Sequence, residues 1–214
     1  MAVPKEKLIH TVEEYLEMER ATEERHEFVD GHIYQMAGES LAHSQICINV
    51  AGEIRNALRG KTCQALSPNM KVRSGPYNQG QRTAKGLFSY ADLTVVCGAP
   101  EFHDTHQDVL LNPTLLIEVL SESTLAFDRG EKFLRYRTHL QSLQEYLLIW
   151  QSFPFVELYT RQTNGWLLSE FRELDETIHL TSIDCRLPLR EIYDRVTFPE
   201  PVEEIEPEEE VKIE

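Results

Sequence analysis

LLIEVLSESTLAFDRGEKFLRY, the stretch from Leu115 to Tyr136, places one carboxylate inside an apolar run and follows it with a basic segment of helical character. Leu115, Leu116, Ile117, Val119 and Leu120 surround Glu118, and the run ends in Ser121 and other polar residues. A continuous apolar run of this length reads as a central strand buried on both faces. An ionised carboxylate held away from water without a partner costs on the order of several kcal/mol. Glu118 is therefore expected to be protonated, paired with a base or bound to a metal cation. Downstream, Asp128 with Glu131 reads as a capping box that starts a helix to about Leu140, with Lys132 in its first turn and Arg129 beside it. Helix N-termini favour anions.

The second strand of this kind is Ala91-Asp92-Leu93-Thr94-Val95-Val96-Cys97, with a carboxylate at its start. The excursion between Cys97 and Leu115 is long enough for an antiparallel or parallel return, so Asp92 and Glu118 can meet. Within it, His103-Asp104-Thr105-His106 has an H-x-x-H spacing that reads as a polar loop without a third clear ligand.

Elsewhere the pattern alternates helices and short strands. Thr11 and Glu14 form a capping box for a helix to about Ala21, and Asp30-Gly31 joins two strand-like runs as a type I′ hairpin. Pattern alone puts Glu27, on the first of these runs, on a solvated edge strand. Ser40 caps a helix to about Leu58, with His43 near its start, and Cys63 to Val72 reads as one strand. The segment from Lys71 to Gly86 holds Lys71, Arg73, Arg82 and Lys85 with no acid, and with Tyr77 it reads as a mobile loop that could track a phosphate backbone. Further strands are expected over Glu145 to Trp150, and a hairpin over Val156–Thr160 and Trp166–Phe171 across Asn164-Gly165. A short C-terminal element follows around Leu187 to Val196.

The chain has 214 residues and a formal net charge of -15. Residues 1–198 read as a single domain, and residues 199–214, with eight Glu against the single Lys212, as an acidic, disordered tail. No apolar run is long enough to span a bilayer and the N-terminus lacks a secretory h-region, so a cytoplasmic location is expected. Cys47, Cys63, Cys97 and Cys185 form no C-x-x-C pair and read as reduced, mostly buried thiols.

No P-loop, dinucleotide fingerprint, nucleophile elbow or H-E-x-x-H motif is present. What remains is two carboxylates on central strands and a lysine near a helix start. Adjacent carboxylates repel when ionised and suit a hard divalent cation such as Mg2+, which can activate water and bridge a phosphoryl oxygen. This is a constellation for phosphodiester hydrolysis.

The segments His26-Glu27-Phe28-Val29-Asp30-Gly31, Ala91-Asp92-Leu93, Leu116-Ile117-Glu118-Val119-Leu120-Ser121 and Asp128-Arg129-Gly130-Glu131-Lys132, in this order, resemble the Uma-two family of restriction-endonuclease-like proteins. The resemblance runs from about Val12 to Val196. It implies an α/β (α+β) class and the PD-(D/E)XK nuclease fold, with a mixed four- or five-stranded central sheet flanked by helices. It also implies cleavage of DNA with Mg2+ or Mn2+. By position, Asp92 and Glu118 match metal ligands, with the Val119 carbonyl as a third, and Glu27 matches the acid of the first hairpin. Leu120 stands where the general motif has lysine, and Lys132 from the following helix supplies that charge. His43 matches a cleft-lining histidine. DNA contacts would fall to Lys71, Arg73, Arg82, Lys85 and Arg129, and a homodimer would serve double-strand cutting. The alternative is an inactive module that binds nucleic acid or protein, distinguished by the lack of divalent-metal affinity at Asp92 and Glu118.

Overall fold

Thr11 opens the chain's first helix, α1 (Val12–Ala21), through a reciprocal capping box with Glu14. The computed structural model describes residues 9–76 and 82–199, so Tyr77 and residues 200–214 of the acidic tail lie outside the described residues. Strands β1 (His26–Val29) and β2 (His32–Gln35) form the expected hairpin, with Asp30 and Gly31 both at positive φ as a type I′ turn demands. Helix α2 (Leu41–Ala57) starts at Ser40, whose side chain accepts from His43 N, and buries Ile46, Val50 and Ile54. Cys63 to Val72 is not one strand: β3 (Cys63–Leu66) and β4 (Lys71–Ser74) belong to different sheets, because Ser67-Pro68-Asn69 turns the chain between them. Then come β5 (Leu87–Tyr90), β6 (Leu93–Cys97), β7 (Val109–Leu110) and β8 (Leu115–Leu120).

Every residue of β8 is buried, as its apolar run requires. The helix after it begins earlier than Asp128. It consists of α3 (Leu125–Phe127), a π-helical turn (Asp128–Lys132) and α4 (Phe133–His139). Asp128 is buried and helical in φ and ψ, so it does not cap the helix; Ser121 and Thr124 make the turn that precedes it. Strands β9 (Glu145–Trp150), β10 (Val156–Gln162) and β11 (Gly165–Phe171) follow, the last two running further than expected, so that Thr163-Asn164 forms the turn. A further hairpin, not foreseen in the sequence, β12 (Thr177–Leu180) and β13 (Cys185–Pro188), leads into α5 (Leu189–Ile192).

The strands make a mixed six-stranded sheet in the order β11-β10-β9-β8-β6-β3 and a five-stranded sheet in the order β2-β1-β5-β4-β7. Strand β8 sits centrally, antiparallel to β6 and parallel to β9, and its helical crossover to β9 runs through α3 and α4. One face packs on α2, β13 and α5 through Val50, Ile54, Ile117, Val119 and Leu187; the other packs on α4 through Leu116, Leu120, Phe133 and Tyr136. The class is the expected mixed α+β, with a second sheet beyond the anticipated four or five strands. Strand β1 lies inside that second sheet, so Glu27 is not on an edge.

The expectation of four free thiols is corrected. Antiparallel pairing sets Cys63 opposite Cys97 with Cα atoms 3.9 Å apart, and the two form a disulfide between β3 and β6; Cys47 and Cys185 remain free.

Candidate active site

The register between β6 and β8 creates the site. Leu93 pairs with Ile117 in an antiparallel ladder, so one step outward Asp92 comes opposite Glu118. Asp92 is fixed twice: Oδ2 accepts a 2.6 Å hydrogen bond from Val119 N, and Oδ1 lies 3.0 Å from His43 Nε2 at the start of α2. Two central strands and one helix N-terminus therefore determine where this carboxylate points. His43 is held protonated above its usual range. Burial works against its charge, but Asp92, with Glu39 and Asp128 further off, outweighs it.

Glu118 projects toward the helical crossover, where Lys132 Nζ lies 3.0 Å from its Oε1, 3.1 Å from Asp128 Oδ1 and 3.4 Å from Glu27 Oε1. Lys132 also donates to Tyr90 O at 3.3 Å, and Tyr90 N donates to Glu27 Oε1. The backbone of Tyr90, two residues before Asp92, thus ties the lysine and the hairpin acid to the same strand end. Side-chain exposure rises from 4% at Lys132, 5% at Glu118 and 6% at Asp128 to 16% at Glu27 and 24% at Asp92, so the cluster opens to solvent on the Asp92 side.

Three carboxylates around one ammonium leave negative charge in excess. Burial pushes the Glu118 carboxyl well above the usual range; Lys132 opposes this, while Asp128 and Asp92 add to it. Lys132 moves the other way to its burial: Asp128, Glu118 and Glu27 hold it protonated well above an ordinary lysine. Glu118 is accordingly disfavoured in its ionised form. Its buried Oε1 accepts no aligned hydrogen bond despite its closeness to Nζ. An acceptor oxygen left in this condition beside a second carboxylate fits a hard divalent cation, and Asp92 and Glu118 are the residues that would hold it.

Of the residues singled out from the sequence, Glu27, Asp92, Glu118, Lys132 and His43 converge. Val119 is present through its N–H, which orients Asp92. Asp128 was missed as a member: its position before a basic helix reads as a cap, although its spacing of four from Lys132 is the ion-pair signal that could have found it.

The basic residues do not form the expected loop. Lys71 and Arg73 are buried on β4 and point away from solvent; Lys71 pairs with Asp108 at 3.2 Å, and Arg73 lies over the Phe88 ring and donates to Pro76 O. Strand burial overrides their charge as a signal, and neither is available to a phosphate backbone. Arg82 pairs with Glu14, and exposed Lys85 lies 4.0 Å from Asp30. Arg129, half-exposed, makes two hydrogen bonds to buried Glu157 and stacks over Trp150. In the loop that holds His103 and His106, His103 packs edge-on against Phe88.

Next to the site, a groove of about 490 Å³ with mixed polar and apolar walls is lined by Ser40, Ala42, Ser121, Glu122, Ser123 and Gln151 among others, at the start of α2 and the outgoing ends of β8 and β9. No helix among the described residues is long and apolar enough to cross a membrane.

Comparison with known proteins converges on one group. The model of the Uma2, or Uma-two, family, described as "Putative restriction endonuclease", matches residues 12–190. Two proteins of Synechocystis sp. are 33% identical: uncharacterized protein slr1290, over 87% of this chain and 92% of its own length, and uncharacterized protein sll1609, over 76% and 87%. Among solved structures, that of a "putative nuclease belonging to DUF820" from Anabaena variabilis superposes with a TM-score of 0.68 at 19% identity, covering 86% of this chain and 97% of that one.

Proposed function

The chain belongs to the Uma2 family of restriction-endonuclease-like proteins, and on that premise we propose that it hydrolyses DNA phosphodiester bonds with Mg2+ or Mn2+ held by Asp92 and Glu118. The observation that carries this reading is the convergence at one strand end of Asp92, oriented by His43 and Val119 N, with Glu118 in the lysine cluster.

When bound, the cation would supply a Lewis acid for the scissile phosphate. The protein's own groups do the rest. Asp92 keeps one orientation because both of its oxygens have partners, so no rotamer search precedes binding. Glu118, in its ionised form, would be the second carboxylate to hold the cation. Lys132 stays charged throughout, holding Glu27, Asp128 and Glu118 together and limiting the negative potential that would repel a phosphate. It acts as a positioning residue from its buried place. Glu27, more exposed than Lys132, is the carboxylate that accepts a proton from attacking water. The hydroxyls of Ser40, Ser121 and Ser123 and the Gln151 amide suit phosphate oxygens, and Arg82, Lys85 and Arg129 add the remaining positive charge.

One observation favours the inactive alternative: Lys132 already pairs with Glu27, Glu118 and Asp128 without any metal, as a purely structural ion-pair network would. Calorimetric titration of Mg2+ and Mn2+ into the wild type and Asp92→Ala, with plasmid nicking on the same samples, separates the two. The nuclease reading expects metal binding and nicking that are both lost in the variant. A folded wild type with no metal affinity and no nicking sinks it in favour of a binding scaffold. Residues 1–198 act in this proposal as one domain, working in the cytoplasm as a homodimer that offers one site per strand.

A further inference from the structure

Glu39, His43 and Cys47 follow one another at intervals of four residues, from the residue before the α2 cap into its second turn. That spacing sets His43 and Cys47 above one another on one side of the helix, with Glu39 just ahead of its cap. Their carboxylate, imidazole and thiol donor atoms all lie within 4.8 Å of one another. His43 Nε2 stands 3.9 Å from Glu39 Oε2 and 3.0 Å from Asp92 Oδ1, so Asp92 touches the same imidazole. Glu39 is exposed and the other two are half-buried, so the set is open to solvent from one side.

The donor chemistry differs from that of Asp92 with Glu118. Mg2+ requires oxygen ligands, whereas imidazole and thiolate select zinc-class cations. Tetrahedral bonds of about 2.0–2.3 Å place neighbouring donors roughly 3.3–3.8 Å apart. The His43–Asp92 and His43–Glu39 separations bracket this range, and exposed Glu39 can swing in to close the set.

We propose that Glu39, His43 and Cys47, with Asp92 as the fourth ligand, form a site for a thiophilic divalent cation of the zinc class, and that filling it withdraws Asp92 from Mg2+. The second half rests on the nuclease reading above. Asp92 has one free lone-pair direction per oxygen to spare, but its orientation is set by His43, and a cation between the two would replace that hydrogen bond.

The test is a Co2+ titration of the metal-free protein, followed by nicking with Mg2+ in the presence and absence of one equivalent of Zn2+. Wild type should show a sulfur-to-cobalt charge-transfer band that saturates at one equivalent. C47S should lose the band, and C185S should keep it. E39Q, a change at an exposed side chain, should keep the band with affinity at least tenfold weaker. Absence of the band in wild type, or its survival in C47S, overturns the site. Zn2+ should abolish nicking by wild type and spare C47S; if the band forms but nicking persists in Zn2+, the withdrawal of Asp92 is wrong. A wild type that does not nick under Mg2+ alone refutes the nuclease reading and this second half with it, while the cobalt spectrum still decides the site.

Discussion

Replacing Lys132 with methionine keeps most of the side-chain volume and removes the one positive charge that buried Glu118 and Asp128 share with half-buried Glu27. The lysine is 4% exposed, with carboxylate oxygens at 3.0, 3.1 and 3.4 Å, so water cannot take its place without opening the core. Breaking a buried pair by deleting one partner costs about 3–5 kcal/mol. Domains of this size lose about 2–4 °C of Tm per kcal/mol, which gives a fall of roughly 6–20 °C. The loss should depend on pH with a definite sign. Glu118 already titrates above its unfolded value, and without Lys132 it rises further, so the folded variant binds more protons than the unfolded chain. Its stability therefore falls as pH rises through the carboxyl range, and the deficit relative to wild type should be larger at pH 8 than at pH 5.5. Urea unfolding at both pH values, followed by tryptophan fluorescence, measures it. A deficit below about 1 kcal/mol at pH 8, or one equal at the two pH values, would refute the claim that these carboxylates depend on Lys132.

Glu118→Gln should act in the opposite direction on stability: removing the group that resists ionisation raises Tm at pH 8, while calorimetry shows the divalent-metal affinity gone. In wild type the same titration should release protons, read from the dependence of the heat on buffer ionisation. Glu145 is fully buried and accepts hydrogen bonds from the backbone N–H and hydroxyl groups of both Thr181 and Ser182, joining β9 to the β12–β13 hairpin. Glu145→Ala should cost about 3–5 kcal/mol in urea unfolding yet leave metal affinity unchanged, since it touches no site residue. Reducing Cys63–Cys97, which closes a loop of sequence separation 34, should lower stability by about 2–4 kcal/mol, seen as a drop in Tm on adding a reductant that C97S does not share.

Where a local rule has a single physical outcome, the sequence was readable. Thr11 with Glu14, Ser40 before α2 and Asp30-Gly31 each satisfy specific backbone groups, and each stands where expected. The apolar run at Leu115–Leu120 identified the buried central strand and its exceptional carboxylate for the same reason. Lys71 and Arg73 misled because charge among glycine and proline imitates a loop, whereas here Tyr90, Phe88 and Asp108 supply the partners that let them lie in a strand. Asp128 looked like a cap because the local signal cannot show that a lysine one turn on is buried. The Cys63–Cys97 bond depends on the register between β3 and β6, which is a long-range property with no mark in spacing. The second sheet is built of strands of four residues or fewer, too short for a period to declare itself.

The π-helical turn at Asp128–Lys132 has a consequence for how relatives of this chain diverge. Such a turn packs one more residue into its length than an α-helix does. The segment therefore carries a surplus residue that a single deletion can remove, restoring a regular helix and leaving β8 and β9 paired. What such a deletion spoils is the alignment of Asp128 and Lys132 on Glu118. Loss of the site is open to this lineage through a change in length rather than in residue type, and descendants that took that route would keep the fold, the apolar strand and even the lysine while retaining none of the chemistry.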